Sequence, residues 1–236
     1  MDETRRSGIG RWWALRDAAA DLFLGSSCPG CARPGWGACP ECLSALGRTT
    51  PVRTIRTDAG EWPVWAACTY RPPLPALLKA WKDEGSWGLT GPFAAAVVRT
   101  LREHEPGSCL VVPVPSRAAA VRERGHDHAR SLARSVARSM GWRSEPVLRV
   151  GSAGVDQFAL ARQERWRNMA GAIRAQPGRG RVLLIDDVVT TGASLQASAS
   201  ALTEAGWTVV GAATIASSEL RLTPKCAAAD RHTGTG

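Results

Sequence analysis

Lysine is scarce in this chain. Lys79, Lys82 and Lys225 are the only lysines among 30 Lys and Arg residues, so nearly all positive charge is guanidinium. One Tyr and three Phe leave the aromatic content to ten Trp. No apolar run approaches the ~18 residues that a membrane-crossing helix needs. The opening MDETRRSGIGRWW lacks the apolar core of a secretion signal. The expectation is a cytoplasmic chain with no membrane insertion. A Gly-Lys-Ser/Thr triplet is absent, which excludes a Walker-type nucleotide loop. Collagen-like, mucin-like and acidic disordered classes are excluded by composition.

What is present is enough for a core: 236 residues, 44% hydrophobic and 22% charged. Net charge is +9, which suits an anionic partner but also fits a composition biased toward Arg. Seven Arg fall between Arg117 and Arg143, against Glu123 and Asp127. Six more fall between Arg162 and Arg181, against Glu164 alone. Arg is the better bidentate partner for phosphate, and solvated helix faces are the alternative.

Four of the seven cysteines form two knuckles, Cys28-Pro-Gly-Cys31 and Cys39-Pro-Glu-Cys42, seven residues apart. Two Cys-x-x-Cys turns can close a tetrahedral four-thiolate shell. With no open coordination position, the zinc held there would be structural. Redox or incidental thiols are the competing reading. Cys68 and Cys109 lie in apolar runs and read as small buried hydrophobes.

The pattern along the chain divides it. Residues 1–50 carry a short amphipathic helix over 11–24 and the cysteine module. Residues 51–61 fall in a polar stretch that reads as a linker or an edge ribbon. Residues 62–219 alternate apolar strands with amphipathic helices, and 220–236 read as a disordered tail. Predicted strands are Val64–Tyr70, Cys109–Val114, Val182–Ile185 and Trp207–Ile215. Predicted helices are Leu74–Lys82, Gly91–His104, His126–Met140 and Ala193–Ala205. This alternation predicts an α/β fold with a mostly parallel sheet and flanking helices, behind a small N-terminal zinc module.

Ligands of parallel sheets bind where strands run into helix N-termini. The thirteen residues Val182–Ser194, VLLIDDVVTTGAS, place two carboxylates after a buried apolar run and a hydroxyl-rich loop before a helix. Thr190, Thr191, Gly192, Ala193 and Ser194 form a phosphate cradle. Asp186 and Asp187 suit ribose hydroxyls, directly or through a divalent ion. No cation within the motif pairs with them, so adjacent like charges there ask for a ligand. The combination describes a ribose 5-phosphate site.

Those thirteen residues resemble the phosphoribosyl pyrophosphate motif of type I phosphoribosyltransferases. Over about residues 25–216 the chain resembles the ComF family, phosphoribosyltransferase-like proteins linked to competence for DNA uptake. The resemblance rests on the knuckles, Leu77-Leu78-Lys79, Val112-Pro113-Val114-Pro115, Arg122-Glu123-Arg124-Gly125, Gln157, Arg165, Asn168 and the thirteen-residue motif. It implies a type I phosphoribosyltransferase fold, phosphoribosyl pyrophosphate as ligand and magnesium arriving with it. It also implies pyrophosphate contacts from Lys79, Ser116, Arg117, Arg122 and Arg124, although Lys79 reads equally as a solvated lysine. A mobile flap over 156–168 would bring Gln157, Arg165 and Asn168 to orient a nucleophile, and a fixed polar network is the alternative. The chain departs from the family pattern at His126-Asp127-His128, where Phe-Asn-Gln is usual. These two His are expected to cap a helix or lie on its exposed first turn, on different faces.

Three functions are compatible with these residues. One is magnesium-dependent phosphoribosyl transfer, with an acceptor that no residue pattern identifies. The second is a non-catalytic accessory that senses the activated sugar. The third is a handler of single-stranded DNA in uptake, alongside a DNA-uptake ATPase, supported by charge, knuckles and Trp residues.

Overall fold

The computed structural model describes residues 27–46, 52–57 (backbone), 60–116, 121–122, 125–151 and 173–218. The helix read over 11–24, the flap over 156–168 and the tail after 219 lie outside the described residues.

The organising element is strand β6 (Gly180–Val189), whose run Val182–Ile185 has no exposed surface. Strand β7 (Trp207–Ser217) pairs with it in parallel on one side and β3 (Leu110–Pro113) on the other. Beyond β7 lie β2 (Gly60–Thr69), parallel to it, and β1 (Val52–Thr57), antiparallel to β2. The sheet order is β1-β2-β7-β6-β3. Only the β1–β2 hairpin departs from parallel pairing, and it takes up most of the polar stretch over 51–61. Strands β4 (Leu148–Val150) and β5 (Ile173–Ala175) make a separate antiparallel pair.

Side chains alternate across a strand, so β6 feeds both faces of the sheet. Leu183 and Ile185 join one apolar cluster with Trp65, Ala213 and Ile215. Val182 and Leu184 join the other with Val64, Val112 and Ala212. Against the first face pack α2 (Leu74–Asp83), α3 (Thr90–His104) and α4 (His128–Met140). Against the second lies α5 (Ala193–Glu204), whose Leu195, Ala199 and Leu202 are buried. The fold is therefore the mostly parallel α/β sheet with flanking helices that the alternation predicts, with both faces covered as such strands require.

Strand β6 is longer than its apolar run. The ladder with β7 continues past Ile185, pairing Asp186 with Thr214 and Val188 with Ala216. The two acids thus sit inside the strand, not at its end as expected. Polar side chains hid the continuation, while backbone pairing with an already formed neighbour sustains it.

The short helix α1 (Pro40–Ser44) belongs to the cysteine module. That module is docked and not free-standing. Cys28, Cys42 and Leu46 are buried in the same apolar cluster as Leu74 and Leu77 of α2. The Arg99 guanidinium of α3 donates to the Leu46 carbonyl (2.8 Å).

Candidate functional site

Two sites emerge from this framework. In the first, the ligand atoms of Cys28, Cys31, Cys39 and Cys42 all lie within 4.8 Å of one another. A tetrahedral shell with sulfur at about 2.3 Å from zinc spaces its sulfurs by about 3.8 Å, and Cys31 and Cys39 Sγ are 3.6 Å apart. The turns that aim them are local. The Cys28 N–H donates to the Arg33 carbonyl and the Ala32 N–H to the Cys28 carbonyl, both at 2.8 Å. The Cys39 N–H donates to Cys28 Sγ (3.2 Å).

The electrostatics match a cation site. Burial raises the Cys28 thiol, but N–H donors from Cys39, Gly30 and Cys31 outweigh it and bring it down to about 6. Burial, then the neighbouring sulfurs, push Cys42 up. Burial also raises Cys39. The Cys28 thiolate is favoured while Cys39 and Cys42 resist ionising, and four thiolates in one shell need a cation. The four cysteines can hold a metal ion such as zinc. Cys68 and Cys109 are buried among apolar neighbours, and burial lifts the Cys109 thiol to about 11.

The second site lies at the C-terminal edge of the sheet, where β6 leaves toward α5. Thr190 and Thr191 are exposed, and Gly192 is buried as the N-cap of α5 with φ +83°. Only a residue without Cβ takes that left-handed turn at no strain. The turn lets the Ala193 N–H approach Thr191 Oγ1 (3.4 Å) and starts the helix with Gln196 N–H donating to the Gly192 carbonyl (2.8 Å). Ser194 lies half-buried in the first turn.

Upstream, the half-buried Asp186 and Asp187 each accept from the following amide: Asp187 N–H to Asp186 Oδ1 at 2.8 Å, Val188 N–H to Asp187 Oδ1 at 2.6 Å. Burial, reinforced by the charge of Asp187, raises the Asp186 carboxyl to about 8. Asp186 therefore holds its proton more tightly than a solvated carboxylate does.

Asp187 has a partner that sequence reading missed, the ammonium of Lys82 at the end of α2. The expectation that the pair lacks a cation holds only within the motif, because the cation comes from a helix about a hundred residues earlier. Lysine scarcity marks Lys82 no more than Lys79 or Lys225, so no local signal pointed to it. Lys79, the lysine singled out from sequence, is exposed and ion-paired with Glu84.

The loop after β3 starts beside this site. Val114 N–H donates to the Ile185 carbonyl (2.9 Å), extending the β3–β6 pairing up to Asp186. Ser116 is exposed just beyond, and Arg122 is exposed further along. Arg117, Arg124, Gln157, Arg165 and Asn168 lie outside the described residues.

At the start of α4, Asp127 is the N-cap and accepts from the Arg130 N–H (3.0 Å). The flanking histidines are not on an exposed turn. His128 is buried, 4.9 Å from the Trp81 ring. His126 stacks on the exposed Trp87 at 5.5 Å and lies 2.8 Å from Ser131 Oγ. Their rings are 5.0 Å apart and edge-on. Residue spacing along an ideal helix misses this, because His126 precedes the cap and its backbone is not helical. Arg130, Arg134 and Arg138 are exposed four residues apart along α4.

The chain matches no family profile and no curated protein sequence. Solved structures of similar shape include adenine phosphoribosyltransferase from Saccharomyces cerevisiae. That match has 14% identity and a TM-score of 0.39, and covers 75% of this chain and 86% of that one. Orotate phosphoribosyltransferase from Aeropyrum pernix matches at 18% identity and a TM-score of 0.32, covering 74% and 76%. Adenine phosphoribosyltransferase from Giardia lamblia matches at 16% identity and a TM-score of 0.35, covering 72% and 94%. No helix among the described residues is long and apolar enough to cross a membrane.

Proposed function

We propose that the chain binds phosphoribosyl pyrophosphate, or a related ribose 5-phosphate, at the edge formed by β6 and the N-terminus of α5, and acts as a phosphoribosyltransferase. The observation that carries this reading is the half-buried Asp186–Asp187 pair running directly into the Thr190–Ser194 turn and the amide end of a twelve-residue helix. Amides and hydroxyls of Thr190 to Ser194 receive the 5-phosphate. The carboxylates accept from the vicinal ribose hydroxyls, and magnesium held between them and the ligand would supply charge neutralisation for the departing pyrophosphate. Ser116, Arg117, Arg122 and Arg124 follow β3 in the sequence and take the pyrophosphate side. Gln157, Arg165 and Asn168 orient the nucleophile. Transfer at an anomeric carbon needs leaving-group stabilisation and exclusion of water more than a protein nucleophile.

The cysteine cluster holds zinc in a structural role, and the resemblance to the ComF family gives DNA uptake as the cellular setting. The test is isothermal titration with magnesium phosphoribosyl pyrophosphate. The wild-type chain binds, and the Asp186→Asn/Asp187→Asn double variant loses at least tenfold in affinity while keeping its fold and zinc content. Undiminished affinity in that variant removes the assignment.

A further inference from the structure

Lys82 stands apart from the other basic side chains described. The ion pairs Arg33–Glu41, Lys79–Glu84 and Arg143–Glu145 involve side chains that are 43% exposed or more. In the Lys82–Asp187 pair, exposure falls to 27% and 23%. Surface pairs of the first kind contribute little. A half-buried pair is costly to assemble unless its charges are used, because each ion gives up part of its hydration.

The position of Lys82 is also fixed from behind. Its neighbour Trp81 has no exposed surface and donates its indole N–H to Thr90 Oγ1 (2.9 Å). The Trp81 ring meets Phe93 edge-on at 5.2 Å and His128 at 4.9 Å. Helix α2 is therefore anchored one residue before the lysine, and the ammonium is delivered to the Asp187 carboxylate from a rigid base. A flexible surface lysine would need none of this.

Charge decides what the arrangement does. An ammonium beside Asp187 takes up the carboxylate oxygen that a divalent cation would use there. A bare cation entering there meets both an occupied carboxylate and a like charge at close range, and like charges about 4 Å apart in a partly buried site repel by several kcal/mol. An incoming diphosphate reverses the balance. It brings its own cation for the carboxylates and offers anionic oxygens to the displaced ammonium, which is three donors on a flexible stem.

Resting on the ligand class proposed above, we infer that Lys82 is an internal counter-ion that closes Asp187 to a bare divalent cation and turns to the anionic part of the ligand when the metal arrives with it. Lys82 thereby becomes a ligand-contacting residue of the site.

The test uses the full chain with manganese alone, read by the loss of the free-ion electron paramagnetic signal, and separately with magnesium phosphoribosyl pyrophosphate by calorimetry. Lys82→Met removes the charge, and Lys82→Gln removes it while keeping a hydrogen-bond donor for Asp187. Lys82→Arg keeps the charge. Wild type and Lys82→Arg take up no manganese at millimolar concentration, whereas Lys82→Met and Lys82→Gln bind it at least tenfold more tightly. Lys82→Met also loses at least tenfold in affinity for the magnesium-loaded sugar. Manganese affinity that is equal in all four proteins, or absent in all four, overturns the inference. A wild-type chain that ignores the activated sugar while the manganese contrast persists removes only the ligand assignment, so the two failures are separable.

Discussion

Asp186 is a half-buried acid that holds its proton unusually tightly. Its carboxyl titrates near 8 because of burial and the adjacent Asp187, against an ordinary value of 3.8. The native state therefore holds this proton more tightly than the unfolded chain does. Below about pH 4 both states are protonated and nothing is lost. As pH rises from there, the unfolded chain releases its proton first, and native stability declines until about pH 8. In magnesium-free buffer, Asp186→Asn should match wild type in melting temperature near pH 4 and exceed it by several degrees above pH 8. A gap that does not vary with pH would mean that the acid is ordinarily solvated. The same acids show where sequence reading stopped. Their identity, adjacency and following turn were legible because all lie within thirteen residues. Lys82 was not, because it reaches Asp187 through tertiary packing that leaves no trace in local spacing.

At the scale of single elements, the first knuckle is a turn whose space is already filled. A Cβ on Gly30 would lie 2.8 Å from Cys42 Sγ and 3.2 Å from Leu77 Cδ2. Gly30→Ala must therefore displace a sulfur or push the module off α2. The expected result is at least half the bound zinc lost on dialysis, measured by elemental analysis, with the sheet's circular dichroism retained. Full retention of zinc would show that the turn relaxes freely. Elements of even apolar period were readable throughout: Val182–Ile185 announced a buried strand, and Leu132, Val136 and Met140 announced the face of α4. Elements held by partners were not. Strand β1 reads as polar ribbon because an edge strand needs only one ladder to form, and the second half of β6 reads as loop because two acids interrupt it.

For the whole molecule, the cysteine module and the α/β layer share one apolar cluster. A cysteine module joined to the rest only by a linker would unfold alone on chelation. The burial of Cys28, Cys42 and Leu46 against Leu74 and Leu77 argues otherwise. Removing a metal whose binding energy is folding energy should loosen the floor under α2 and lower the main melting transition by several degrees. Calorimetry with and without a strong zinc chelator checks this, and an unchanged main transition alongside a lost minor one would restore the two-unit picture. Because α2 also carries Lys82, the sulfur cluster and the carboxylate site rest on opposite ends of one ten-residue helix.

The two rims of the main sheet are unequal. Along β3, the backbone of Val111 is already engaged, donating its N–H to the Arg143 carbonyl (2.9 Å) and accepting from the Glu145 N–H (3.1 Å). Among the described residues, β1 is paired on its β2 side alone. Among the described residues, β1 is thus the one rim of the main sheet open to strand addition. A second copy joined through β1 would generate a closed two-fold pair of ten strands with both outer rims blocked, so lateral association would stop at two instead of continuing into a fibre.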